Sequence, residues 1–163
     1  MKVLIMTVGG DPSPLVQSIK EMNPDHIWFI CSSGQRSSRV MVEGAEPNIL
    51  SQTGFPKDQI SIAEADPDNP VEVYELAKKL IADYRGHQVY TDYTGGTKSM
   101  GSGLLMAALE FDYCQPYLMK GPRADLIKVT GNRSRVFMID RGNIMFSRFR
   151  KTFEEVLNRQ DYG

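Results

Sequence analysis

The chain has 163 residues, 41% hydrophobic and 24% charged, with a formal net charge of -1. That length fits one domain with a sizeable core. The near-neutral balance excludes the basic excess of a protein that grips long nucleic acid non-specifically, but it is compatible with a compact phosphate ligand held by local geometry.

Apolar runs alternate with amphipathic stretches along the chain. Val3 to Val8 reads as a first strand, followed by the turn Gly9-Gly10-Asp11-Pro12-Ser13-Pro14 and a helix to about Met22. His26 to Cys31 is a second buried strand. The turn Ser32-Ser33-Gly34-Gln35 leads into a helix from about Ser37 to Thr53, weakened by Gly44 and Pro47. Gln59 to Ala63 is a third strand. Asp66-Pro67-Asp68-Asn69-Pro70 starts a helix over Val71 to Tyr84, with Val73, Leu76, Ala77, Leu80 and Ile81 on one face. A strand over His87–Thr91 and a helix over Ser99–Phe111 follow.

Beyond Phe111 the pattern changes. Gln115–Met119, Asp125–Thr130 and Arg135–Ile139 are strand-like, separated by Gly121-Pro122 and Gly131-Asn132, and their close spacing predicts an antiparallel hairpin at one edge. Thr152–Gln160 is a short final helix. Continuous apolar strands separated by helices predict an α/β fold: a mainly parallel sheet with helices on both faces. No linker divides the chain, so residues 1–163 read as one domain.

In such a sheet, ligands bind beyond the carboxyl ends of the strands, near the point where strand order reverses. Three turns rich in Gly, Ser and Thr follow strand ends, and all three are expected at that edge. The most informative is Asp92-Tyr93-Thr94-Gly95-Gly96-Thr97-Lys98-Ser99-Met100. Two glycines permit close backbone approach. Thr94, Thr97 and Ser99 supply hydroxyls, Lys98 an ammonium, and a helix N-terminus lies behind them, which together make a phosphate cradle. It is not a Walker A loop, because GxxxxGK[ST] spacing is absent, and the first turn lacks GxGxxG, which counts against NAD.

The other groups carry two readings each. Gly9-Gly10-Asp11 is a ligand contact or a plain turn with Asp11 as cap. Ser32, Ser33 and Gln35 contact ligand or only turn the chain. Asp92 binds a ribose hydroxyl or holds the turn's amides. Arg36, Arg39, Arg123, Arg133 and Arg135 are surface charges, with Arg36 and Arg39 the better phosphate candidates because they follow a ligand-side turn. His26 and His87 have no visible nucleophile or carboxylate partner. Trp28 is assigned to the core. Cys31 and Cys114 form no CxxC pair and read as buried thiols, and no metal or cofactor is expected. The start, Met1–Met6, is too short for a signal peptide, and no apolar run approaches a membrane span, so the expected compartment is the cytoplasm.

The Asp92–Met100 segment resembles the signature of the CARF family, the CRISPR-associated Rossmann-like sensor domains: a strand, then (D/N)xTGGTK, then a helix. The strand ending in Val8-Gly9-Gly10 is similar to that family as well, and the resemblance extends to about Ile139. It implies a Rossmann-like fold and a cyclic oligoadenylate ligand, the nucleotide messenger of type III CRISPR antiviral defence, bound across a homodimer axis. It implies ring contacts from Thr94, Gly95, Gly96, Thr97 and Lys98, with Gly9, Gly10 and Asp11 beside them. Ser13, Ser32, Ser33, Gln35, Arg36, Asp92 and Ser99 join by position.

Typical members carry an effector. Here no HEPN-like RxxxxH and no PD-(D/E)xK core is visible, so the chain is expected to be a sensor domain cut from a larger effector, or one acting with a partner effector. Another expectation is a stand-alone metal-independent ring nuclease. In it a ribose 2′-hydroxyl attacks the adjacent phosphate, with Lys98, Thr97 and Ser13 as candidate catalytic groups. A Rossmann-like enzyme using a nucleotide or sugar phosphate is a further alternative. The tail Ser147–Gln160 is too short for a DNA-binding helix-turn-helix, so no direct DNA binding is expected.

Overall fold

The structure is a computed structural model that describes residues 1–121 and 135–160. Its elements in chain order are β1 (Lys2–Thr7), α1 (Ser13–Met22), β2 (His26–Ser32), α2 (Arg39–Glu43), α3 (Ile49–Thr53), β3 (Ile60–Ala65), α4 (Pro70–Asp83), β4 (Gln88–Asp92), α5 (Lys98–Leu109), β5 (Cys114–Lys120), β6 (Arg135–Met138) and α6 (Arg141–Gln160). A short 3-10 turn over Lys57–Gln59 precedes β3.

The six strands form one sheet in the order β3-β2-β1-β4-β5-β6. Neighbours from β3 through β5 are parallel, and β6 runs antiparallel to β5, with Leu118 opposite Phe137. The mainly parallel sheet with an antiparallel pair at one edge is the predicted architecture. The predicted strand at Asp125–Thr130, with Arg123, Arg133 and the Gly131-Asn132 turn, lies outside the described residues.

The two-residue period of the strands divides the core. Leu4 and Met6 of β1 face one way and pack with Leu15, Val16 and Ile19 of α1, Val42 of α2, and Ile49 and Leu50 of α3. Val3 and Ile5 face the other way and pack with Val73, Ala77 and Ile81 of α4 and Met100, Leu104 and Ala108 of α5. Both faces are covered, which is why the strands read as unbroken apolar runs.

Helix α4 begins as its residues dictate: Asn69 accepts a hydrogen bond from the Glu72 amide and Pro70 fills the first turn. Glycine is a poor helix former, costing roughly 1 kcal/mol against alanine, yet α5 carries Gly103. A Cβ there would stand 2.6 Å from the Pro70 carbonyl oxygen, so the glycine lets α5 lie tightly on α4.

Two predicted helices differ from the structure. The single helix over Ser37–Thr53 is two short ones, because Gly44 ends α2 in extended backbone and Asn48 starts α3 with a capping box closed by Ser51. The final helix starts at Arg141 rather than Thr152. Asp140 accepts from the Asn143 amide at 3.2 Å and starts it early.

Candidate functional site

Strand order places β1 between β2 and β4, so the chain runs outward from β1 in both directions. The loops leaving β1, β2 and β4 therefore meet at the carboxyl edge, at the switch point. A cleft of about 710 Å³ opens there.

Glycine backbone brings the β1 and β4 loops together. A Cβ on Gly9 would stand 2.7 Å from the Gly96 amide nitrogen, and one on Gly95 would collide with the Thr7 carbonyl oxygen. The Thr7 hydroxyl donates to the Gly95 carbonyl at 2.7 Å, sealing the approach. Gly96 has φ +81°, a left-handed conformation that few other residues adopt without strain.

The turn rests on a buried polar network. Asp92 is fully buried. One carboxylate oxygen accepts from the Thr94 amide at 2.9 Å and from the Thr94 hydroxyl. The other accepts from the Ser18 hydroxyl of α1 at 2.6 Å, and Ser18 lies 2.7 Å from the Tyr117 hydroxyl of β5. Thr94 in turn accepts from the Met119 amide at 2.7 Å. Burial raises the Asp92 carboxyl above its ordinary value, against the pull of the hydrogen bonds from Ser18 and Thr94. Burial likewise raises the Tyr117 phenol well above the usual range.

Thr97 caps α5, accepting from the Met100 amide at 3.1 Å and donating to the Pro67 carbonyl. That leaves the Lys98 and Ser99 amides at the open first turn, where intrahelical partners do not exist and the helix dipole is positive. The β2 loop closes on itself: Ser32 and Ser38 exchange amide-to-hydroxyl hydrogen bonds, each 2.9 Å.

Of the residues singled out from sequence, Gly9, Gly10, Ser32, Gln35, Arg36, Gly96 and Thr97 line the cleft together. Lys98, exposed, and Ser99, half-buried, follow Thr97 along the chain and are not among the residues that line the cleft. Asp92, Thr94 and Gly95 lie beneath the turn and shape it. Asp11 accepts from the Ser13 amide at 3.0 Å, forming the turn that opens α1. Ser33 donates its amide to the Ala65 carbonyl at 2.8 Å. Ser13 lines a separate groove with Gln17, Lys20 and Glu21. Arg39 pairs with Glu43 at 2.6 Å and does not line the cleft. His26 and His87 sit at the strand starts, the opposite edge, and burial lowers the His26 pKa.

Val8, Val40, Met41, Pro67 and Met100 also line the cleft and were missed in the sequence, as were Ser37 and Ser38. The apolar ones carry the pattern of core residues, and only the fold shows that they border a cleft. Among the described residues no carboxylate lines it, and Arg36 is the charged side chain that does. Its lining joins one cation and several hydroxyls to an apolar wall. Among the described residues there is no cluster of His, Cys, Asp or Glu suited to a metal ion, and no helix long and apolar enough to cross a membrane.

No protein-family model matches the chain, and no curated protein is significantly similar in sequence. Solved structures are similar in fold. Csm6 of Enterococcus italicus, bound to cyclic hexa-2′-fluoro-hexa-dAMP, superposes over 99% of this chain and 46% of its own, with a TM-score of 0.70 at 15% identity. Can2 of Sulfobacillus thermosulfidooxidans, in complex with cyclic tetra-adenylate, superposes over 74% of this chain and 32% of its own, with a TM-score of 0.59 at 12% identity. Protein VC1899 of Vibrio cholerae matches over 73% and 30%, with a TM-score of 0.56 at 13% identity. The chain thus spans less than half the length of these proteins. With its switch-point cleft, its glycine-bridged turns and this likeness, the chain has a CARF-like fold of the Rossmann-like type.

Proposed function

We propose that this domain is a sensor for a cyclic oligoadenylate, bound across the two-fold axis of a homodimer, and that it regulates an attached or partner effector in antiviral defence. The observation that carries the reading is the convergence of three loops on a cleft that no carboxylate lines among the described residues. Arg36 lines it, Met41, Val40 and Met100 form apolar walls, and Lys98 with the open α5 amides follows Thr97, which lines it too. Two structurally similar proteins hold cyclic adenine nucleotides, which supports the ligand class.

In this reading phosphate oxygens accept from the first-turn amides of α5 and from Lys98, and the adenine rings lie against the apolar walls. Ring size depends on the separation of the two subunits' turns, since a symmetric ring needs symmetric cradles.

Isothermal titration of Lys98→Ala with cyclic tetra- and hexa-adenylate tests it. Lys98 is exposed, so the fold should survive. Losing a charge-assisted contact should weaken binding by about tenfold or more. Unchanged affinity sinks the assignment of this turn. Chromatography of the same mixtures reads cleavage: linear products would make the protein a ring nuclease. The Thr97 hydroxyl is engaged at both its donor and acceptor sides, and Ser13 lies in another groove, so an intact ring is expected.

A further inference from the structure

Helix α6 runs for 20 residues, and no other described element packs closely along it. Its start is fixed at the strand-start edge, where the Arg141 guanidinium donates to the Cys114 carbonyl at 2.7 Å and the Asp112 carbonyl at 2.9 Å. Beyond that anchor, Met145, Phe146, Phe149, Phe153, Val156 and Leu157 are 40% to 70% exposed. At 100° per residue these six side chains fall within one stripe about 120° wide, and Ile144 lies on the opposite face. Their exposed part is on the order of 550 Å², taking about 150–200 Å² for a fully exposed large side chain. An apolar patch of that size marks a docking surface.

The charge of the chain is unevenly divided. Residues 141–160 hold five of the 19 Lys and Arg but two of the 20 Asp and Glu, so the helix carries +3 and the rest of the chain -4. By helical spacing, Arg150 stands about 20° beyond Leu157 at one rim of the stripe, and Arg159 about 40° beyond Met145 at the other. The carboxylates lie farther out, Glu154 about 60° and Glu155 about 80° from the stripe. Arg150 pairs with Glu154 at 3.2 Å, but both side chains are more than half exposed, and such a pair yields readily to another anion.

We propose that α6 lies flat on an anionic lipid surface, with the phenylalanine stripe among the acyl chains and the rim arginines at the headgroup phosphates. The helix is not apolar enough to cross a membrane. A Phe-rich stripe with basic residues beside it is instead what a helix in the interfacial plane needs. Cations at both rims fit a bilayer, because headgroups flank the helix on each side and long side chains reach up to them. The anchor of α6 lies at the edge opposite the cleft, so adsorption and ligand binding use different parts of the molecule.

Co-sedimentation of the 163-residue chain with lipid vesicles tests this without any cyclic ligand. Phosphatidylcholine vesicles holding about 30% phosphatidylserine should bind the chain at least about tenfold more tightly than phosphatidylcholine alone. Raising salt from about 0.1 to about 0.5 M should weaken that binding severalfold, because screening shortens the reach of the charges. Phe149→Glu with Phe153→Glu should weaken it by at least about a hundredfold. The Tm of the double variant should match the parent's, since neither ring belongs to either core cluster. A folded parent chain that stays in the supernatant overturns the proposal. Equal binding to both kinds of vesicle, or a folded double variant that binds as the parent does, also overturns it. So does a parent chain that ignores vesicles and self-associates in sedimentation velocity until the two phenylalanines are replaced, which would give the stripe to a second copy.

Discussion

Replacing Asp92 with alanine removes the acceptor on which the β4 turn is built. The carboxylate takes hydrogen bonds from the Ser18 hydroxyl, the Thr94 amide and the Thr94 hydroxyl, and none of it reaches solvent. Truncation strands these donors, at roughly 1–3 kcal/mol for each buried group left unpaired. Local relaxation recovers part of the summed cost, for a net loss of about 3–5 kcal/mol. A domain of this size melts roughly 2–4 °C lower per kcal/mol, so Tm should fall by about 6–20 °C. Differential scanning calorimetry and urea unfolding read both quantities. A loss below about 1 kcal/mol would refute the idea that the network supports the turn. Asp92→Asn adds the pH test. Burial raises the Asp92 carboxyl above its ordinary 3.8. The bound proton therefore stabilises the fold fully below that value, and the contribution is lost as pH rises through the folded pKa. The variant should lack this part of the pH dependence.

Gly95→Ala drives a methyl into the Thr7 carbonyl, so the β1 and β4 loops must separate. We expect a loss of about 1–3 kcal/mol and collapse of ring affinity, read by urea unfolding and calorimetry. Arg36→Ala should reduce ring affinity several-fold with Tm unchanged, because the side chain is exposed at the cleft. The Cys31 and Cys114 thiols are pushed up to about 12 by burial. Both folded values lie above the ordinary 9.0, so their contribution is complete below that value and is lost as pH rises toward about 12. Stability should fall above about pH 9, and iodoacetamide should label neither thiol at about pH 8 until the chain is unfolded.

Much of the fold was legible because local and global signals agree. Alternating apolar runs announced the parallel sheet, and Asn69 and Pro70 marked the start of α4. The antiparallel pair at β5 and β6 could be read from the shortened spacing after Phe111. The early start of α6 was readable in principle from Asp140, but Gly142 and Asn143 resemble a turn. For the site, glycines and hydroxyls flagged three loops that the fold brings to one cleft. What stayed hidden was the division of labour within them. Thr94 and Asp92 serve the turn from below, and nothing local to Asp92 names Ser18 or Tyr117 as partners. Met41 and Met100 border the cleft yet read as core, since periodicity cannot separate a buried wall from a binding wall.

The central claim is that the switch-point cleft of this chain binds a cyclic oligoadenylate between two copies. Isothermal titration of the purified chain with cyclic tetra-adenylate and cyclic hexa-adenylate, against linear oligoadenylates of the same length, tests it most directly. The reading predicts saturable binding of one ring per two chains, with the linear forms binding at least about tenfold more weakly. No binding of either ring by a folded chain, or equal affinity for linear and cyclic forms, would contradict it.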